Sequence, residues 1–274
     1  MDKFKSSGLA GEFGGIAALE NEPPVNWLLP GYLAARELSC IYGKGGTLKS
    51  FIGIGWSLQL AALDKSVLYI AAEGTSGLRS RVEAWRAQHS WLHKDIPNWH
   101  YYNANVHVDQ EKPLEMWAHG LVNYLYTEAE RKRSRWEPHI DLIVVDTLAR
   151  NFLGDENSAK EMGQFVEGCE TLRRSLNAAV LVIHHEGITT GRDRGSPALR
   201  NATFAMFKTG NLRESGHGAS ISFECDRMKD AKAPDEVRIQ FDEVALDVSA
   251  VGKVYQSSLA MRQFPAKRKV RRKK

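Results

Sequence analysis

At 274 residues the chain is long for one domain and short for two, so one α/β domain with a small appendage is expected. With 43% apolar and 26% charged residues it can bury a substantial core, and three scattered cysteines, Cys40, Cys169 and Cys225, exclude a disulfide framework or a zinc site and point to a reducing compartment. The net charge of +4 comes from the last nine residues, Ala266 to Lys274; without their seven Lys/Arg the chain carries −3.

In chain order, residues 1–24 are Gly-, Glu- and Pro-rich and read as a loose arm, with no apolar core of the kind a signal peptide has. Val25 to Leu33 is an amphipathic lead-in ending in turn residues. The run Glu37–Tyr42 is a strand, and Ile41-Tyr42-Gly43-Lys44-Gly45-Gly46-Thr47-Leu48-Lys49-Ser50 follows it as a phosphate-binding loop. The glycines let the backbone curl so that successive N–H groups face one anion. Lys49 reaches the β- and γ-phosphates, and the Ser50 hydroxyl meets Mg²⁺. Leu48 stands where the usual pattern, G-x-x-x-x-G-K-[ST], has glycine. Lys44 reads as a solvent-facing loop residue, since Lys49 immediately precedes Ser50 as the motif requires. The helix Phe51–Ala62 then places its N-terminus at the anion. The longest apolar run, Phe51 to Leu63, is too short to span a bilayer, so no membrane association and a cytoplasmic location are expected.

Ser66 to Gly74 is a continuous apolar run closed by Glu73 and Gly74, the pattern of a parallel strand buried on both faces. Helix Leu78–His89 carries Arg79, Arg81 and Arg86 on its polar side. A short strand spans Trp99–Val108, and helix Leu114–Lys132 ends in the basic run Arg131 to Arg135. Ile140–Thr147 is a second buried strand, ending in Asp146. Helix Ala159–Leu176 follows, and Ala179–His185 is a third buried strand. Ala219–Cys225, Val237–Phe241 and Val244–Val248 are short β segments at hairpin spacing. The fold class is therefore α/β: a mostly parallel, doubly wound sheet with antiparallel C-terminal strands.

Strand ends on one edge of such a sheet face the ligand crevice. Glu73 there is placed to polarise an attacking water, unless it only caps the next turn. Asp146 closes four apolar residues, as a Walker-B strand does to hold the Mg²⁺ shell. His184 and His185 end the third strand, where a polar group meets the γ-phosphate or is a satisfied buried residue.

Taken together, these pieces resemble the RecA-fold P-loop ATPases, nearest the small hexameric plasmid replicative helicases of the RepA type and related phage and mobile-element AAA-type ATPases. The most specific stretch is Asp146-Thr147-Leu148-Ala149-Arg150 followed by Asp155-Glu156-Asn157-Ser158. Ala71-Ala72-Glu73-Gly74, Arg194-Gly195-Ser196 and Asp226-Arg227-Met228-Lys229-Asp230 also match. The resemblance covers about Trp27 to Val248 and implies a RecA-like domain over 25–250, with a C-terminal segment and basic tail over 251–274. It further implies ATP and Mg²⁺ as cofactors, nucleotide contacts from Gly43 to Ser50 (Gly43, Lys44, Gly45, Gly46, Thr47, Leu48, Lys49, Ser50), Glu73 as catalytic base, Asp146 linked to the metal, and His185 as γ-phosphate sensor. Arg227 and Lys229, one residue apart on a late strand, would reach a neighbouring subunit's site, so a homo-oligomer, a ring of about six, is expected.

Two loops on the active-site edge, Arg150–Ser158 and Gly187–Ser196, correspond to loops that hold single-stranded DNA. Arg150, Arg192, Arg194 and Arg200 are the phosphate-contact candidates, with intradomain ion pairs as the other reading for Arg194 and Arg200. The tail Lys267–Lys274 is too charged to pack and reads as a nucleic-acid-attracting arm, a localisation-like run, or a solubility device. The expected activity is that of a single-stranded-DNA-acting helicase or translocase in replication of a mobile element, with a primase or initiator protein as a possible partner. The alternatives are a non-motor ATPase switch such as a recombination mediator or loader, a small-molecule phosphotransferase, and a non-hydrolysing binding module.

Overall fold

The computed structural model describes residues 15–16, 25–72, 75–90, 96–131, 139–187, 196–246 and 256–262. Glu73, Arg192, Arg194, most of the N-terminal arm and the basic tail lie outside them.

One nine-stranded sheet organises the chain. Its strands are β3 (Leu38–Gly43), β4 (Val67–Ala71), β5 (Trp99–Tyr102), β6 (Leu142–Asp146), β7 (Ala179–His185), β8 (Ala205–Ser215), β9 (Gly218–Met228), β10 (Val237–Leu246) and β11 (Gln256–Met261), in the order β11-β10-β9-β8-β3-β7-β6-β4-β5. From β8 to β5 every pairing is parallel, and β9, β10 and β11 add antiparallel strands at the other end. A separate two-stranded ribbon, β1 (Trp27–Leu29) with β2 (Leu33–Ala34), is formed by the amphipathic lead-in. Five helices pack around the sheet among the described residues: α1 (Lys49–Ala61), α2 (Thr75–Gln88), α3 (Glu111–Arg131), α4 (Ala159–Ser175) and the short α5 (Ala198–Ala202).

The central strands β3, β4, β6 and β7 read as nearly unbroken apolar runs because both faces of the sheet are covered there. Alternate residues feed two cores. Ile41, Tyr69, Val144, Ile183 and Phe207 join α1, α2 and the ribbon on one face. Cys40, Ile70, Val145, Val182 and Met206 join α3, α4 and Leu199 on the other. On the first face Tyr32, Trp56, Phe207 and Phe223 form a close aromatic group, with Trp56 edge-on to both phenylalanines at 5.9 and 5.6 Å. Such edge contacts add about 0.5–1.5 kcal/mol each beyond the area they bury.

The fold class agrees with the sequence reading, and several elements differ in detail. The expected strand Trp99–Val108 stops at Tyr102; Val106 and Val108 instead turn under Asn151, whose side chain and carbonyl accept their amides at 2.8 and 3.0 Å. Val237–Phe241 and Val244–Leu246, the described part of the expected Val244–Val248, belong to a single strand, β10. The acidic pair between them, Asp242 and Glu243, stays in register with Ala260 and Leu259 instead of turning. Strand β8 was not foreseen, yet it is the direct neighbour of β3. Strand β11 lies beyond residue 250 and extends the same sheet.

Candidate functional site

Strand β7 lies between β3 and β6, so the ends of β3 and β6 stand two strands apart on one edge of the sheet. The loop after β3 wraps over this edge. It leaves β3 at Gly43, where an added Cβ would stand 2.7 Å from the Thr209 carbonyl oxygen on β8, so only glycine fits. Gly46 takes φ 77°, and Leu48 takes φ 55° as the residue that caps α1. That left-handed conformation explains why glycine is usual at this place. Thr47 pins the loop from within: its hydroxyl donates to the Lys44 carbonyl at 2.7 Å and meets the Thr209 hydroxyl at 2.7 Å.

The Lys49 ammonium lies inside this curl, 6% exposed, and donates to the carbonyls of Gly43 at 2.9 Å and Lys44 at 2.6 Å. The Lys44 side chain itself is exposed. Ser50 opens α1 and donates from its hydroxyl to Asp146 Oδ1 at 3.1 Å. Asp146 is the last residue of β6 and is buried. Its second oxygen, Oδ2, accepts from the Tyr69 hydroxyl at 2.6 Å. Burial, followed by the neighbouring carboxylate, pushes the Tyr69 phenol well above its usual range. The peptide from Asp146 to Thr147 is cis.

A cavity of about 280 Å³ opens here, lined by Gly45, Gly46, Thr47, Leu48, Lys49, Ser50, Phe51, Arg81, Thr147 and His185. His185 pairs in register with Gly43 across the sheet and lines this cavity; His184, one residue earlier, is fully buried beside Tyr42 in the strand register. Arg81 was read from the sequence only as part of the polar side of its helix. The structure brings it to the site, its guanidinium 4.7 Å from the Phe51 ring centroid, a cation–π contact. Neither Tyr69, hidden in an apolar strand pattern, nor Arg81 carries a linear signal; only the β4–β6 pairing and the docking of α2 beside α1 reveal them.

The chemistry of the donors suits a nucleoside triphosphate with Mg²⁺. Loop residues 45–48 and the first turn of α1 line the cavity, one ammonium sits within the curl, and a hydroxyl and a carboxylate meet where a metal shell would form. Mg²⁺ takes few protein ligands and completes its octahedron with phosphates and water. A Ser50–Asp146 pair fits that need, and among the described residues there is no larger cluster of metal-ligating side chains.

The remaining candidates lie elsewhere. Arg150 is exposed at the end of a 3-10 turn directly after Thr147. Arg200, on α5, is ion-paired with Asp226, which also accepts from the Tyr42 hydroxyl at 2.8 Å. The Arg200 hydrogen bond, opposed by partial burial and aided by Tyr42, holds the Asp226 carboxyl below the usual range. Arg227 stands in register with Met206, at the level of Cys40 and far down the strands from Gly43. It reaches Asn201 Oδ1 at 3.4 Å, and the Lys229 ammonium donates to the carbonyls of Asn201 and Ala202 at 2.9 and 3.1 Å. The two cations therefore share a face, as a two-residue spacing requires, and neither lines the cavity. Among the described residues no helix is long and apolar enough to cross a membrane.

Residues 11–191 match the sequence pattern of the AAA domain family. This is well over half of the chain, and the chain belongs to that family of P-loop ATPases. No curated protein matches it.

Proposed function

We propose that this AAA-domain ATPase is an oligomeric, Mg²⁺-dependent enzyme acting on single-stranded DNA, as a replicative helicase or translocase of a plasmid, phage or other mobile element. The observation that carries the reading is the placement of the late cations. Along the strands and across two of them, Arg227 lies roughly 14 Å from the Gly43 end of β3 at standard sheet spacings. At that distance it does not complete its own loop's site, and the reading assigns it to the site of a neighbouring subunit. A cation delivered in trans makes hydrolysis depend on assembly, which is how a ring couples its subunits.

Within one subunit the residues divide the work. The loop amides and Lys49 bind and orient the β- and γ-phosphates of ATP. Ser50 and Asp146 hold the place of Mg²⁺, which when bound neutralises charge developing on the phosphoryl oxygens. Glu73, next to the described end of β4, takes the proton of the attacking water. His185, at the end of β7, reports loss of the γ-phosphate to the Gly187–Ser196 segment that follows in sequence. Arg150, with Arg192 and Arg194 of that segment, contacts DNA phosphates; Arg200 joins them only by leaving Asp226.

The test is ATP turnover against single-stranded DNA concentration, with wild-type chain mixed in increasing proportion with Arg227→Ala. The proposal expects DNA stimulation and a loss of activity steeper than the fraction of variant. Turnover indifferent to DNA and linear in the wild-type fraction would overturn it. DNA stimulation without strand displacement would select the non-motor switch, a mediator or loader, in place of the helicase.

A further inference from the structure

We infer that Tyr69 is a positioning residue for Asp146, fixing which oxygen of that carboxylate faces the metal shell; this rests on the ATPase reading above. A carboxylate at a strand end has two equivalent oxygens and a soft terminal torsion, so it presents either of them unless something holds one. Here the Tyr69 hydroxyl occupies Oδ2 at 2.6 Å, leaving Oδ1 to the Ser50 hydroxyl at 3.1 Å. Ser50 is the residue through which the loop would meet Mg²⁺, so the oxygen nearest it is the one a metal-bound water would use.

Tyr69 is built to do this. It sits on β4, the neighbour of β6, and pairs in register with Val144, two residues before Asp146, so both side chains rise on the α1 face of the sheet. The ring is 1% exposed and packs against Trp99, whose indole N–H is itself fixed by the Ser57 hydroxyl at 2.9 Å. On the helix above, position 53 is glycine, and a Cβ there would stand 3.4 Å from the Tyr69 hydroxyl and 3.3 Å from Ile183 Cδ1. The helix backbone thus passes directly over the phenol. The same hydroxyl lies 3.4 Å from the Ser50 carbonyl, so it touches both elements that hold the metal's place. The arrangement resembles the outer-shell partners that fix ligand orientation in metal sites, whose loss costs 10–100-fold in metal affinity or activity.

The experiment compares wild type with Tyr69→Phe by binding of a fluorescent ATP analogue, first in EDTA and then across a Mg²⁺ titration, alongside thermal unfolding. Expected are unchanged affinity in EDTA and a half-saturating Mg²⁺ concentration raised about tenfold. The effect should vanish in an Asp146→Asn background, because Tyr69 acts through that carboxylate. Equal Mg²⁺ titrations, with a lower melting temperature as the only change, would make Tyr69 a core hydrogen bond and overturn the inference. Wild type whose analogue binding ignores Mg²⁺ would instead overturn the ATPase reading, and the inference with it. As a measurement independent of how well Tyr69→Phe folds, 3-fluorotyrosine at position 69 should shift its ¹⁹F resonance when Mg²⁺ is added to the nucleotide-bound protein. An unmoved resonance would count against the assignment.

Discussion

Leu48 gives a sharp test of the loop geometry. It caps α1 at φ 55°, ψ 22°, and its side chain packs, half-buried, on the larger core. A left-handed L-residue costs roughly 1–2 kcal/mol. Leu48→Gly removes that strain, loses about 1 kcal/mol of partial side-chain burial, and adds about 0.4–1 kcal/mol of unfolded-chain entropy. The three contributions nearly cancel. Leu48→Ala loses the same burial and keeps the strain. The predicted order is therefore Leu about equal to Gly, with Ala lower by about 1 kcal/mol, or ~2–4 °C in melting temperature for a domain of this size. Urea midpoints of the three proteins measure it. Inside an ordinary helix the order of Gly and Ala reverses by about 1 kcal/mol. Alanine equal to or more stable than glycine at position 48 would refute the left-handed cap.

Gly43→Ala should destabilise by about 1–3 kcal/mol, because its Cβ would be driven into Thr209 on the adjoining strand; chemical denaturation checks it, and a neutral result means β3 and β8 are not so close. Arg81→Ala should lower kcat/KM for ATP about 10–100-fold, the worth of a hydrogen bond to a charged phosphate, with little change in melting temperature. The Asp226 carboxyl is held below its usual range, so its contribution to stability is complete above the unfolded value near 4 and is lost as pH falls through the lower folded value. Accordingly, the difference in urea midpoint between wild type and Asp226→Asn should be constant from pH 8 to 5 and shrink below pH 4. A difference that grows in acid would contradict the assigned ion pair with Arg200.

The central strands were legible because burial on both faces writes them as continuous apolar runs, each ended at the crevice by a glycine or a polar residue: Gly43, Asp146 and His185 could be placed at the strand ends from position alone. Strand β8 escaped because it changes character along its length. Ala205 to Phe207 are buried between β3 and β9, while Asn211 to Ser215 run on exposed and polar, so neither an alternating nor an unbroken pattern emerges. In β10 the acidic pair mimicked a turn; in the fold Asp242 is held by Arg262, directly after β11, and by Gln88 from α2, partners 20 and 154 residues away. Distance in sequence hid Tyr69 and Arg81 in the same way. Each is ordinary for its element, and each becomes a site residue only through the neighbour it is packed against.

The most direct measurement is steady-state ATP hydrolysis by the purified chain with Mg²⁺, with EDTA in its place, and by Lys49→Ala with Mg²⁺. The loop curl around the Lys49 ammonium and the Ser50–Asp146 pair predict turnover in the first case only, with Lys49→Ala at least a hundredfold slower while melting as wild type does. Hydrolysis that survives both EDTA and the loss of Lys49 would contradict the site.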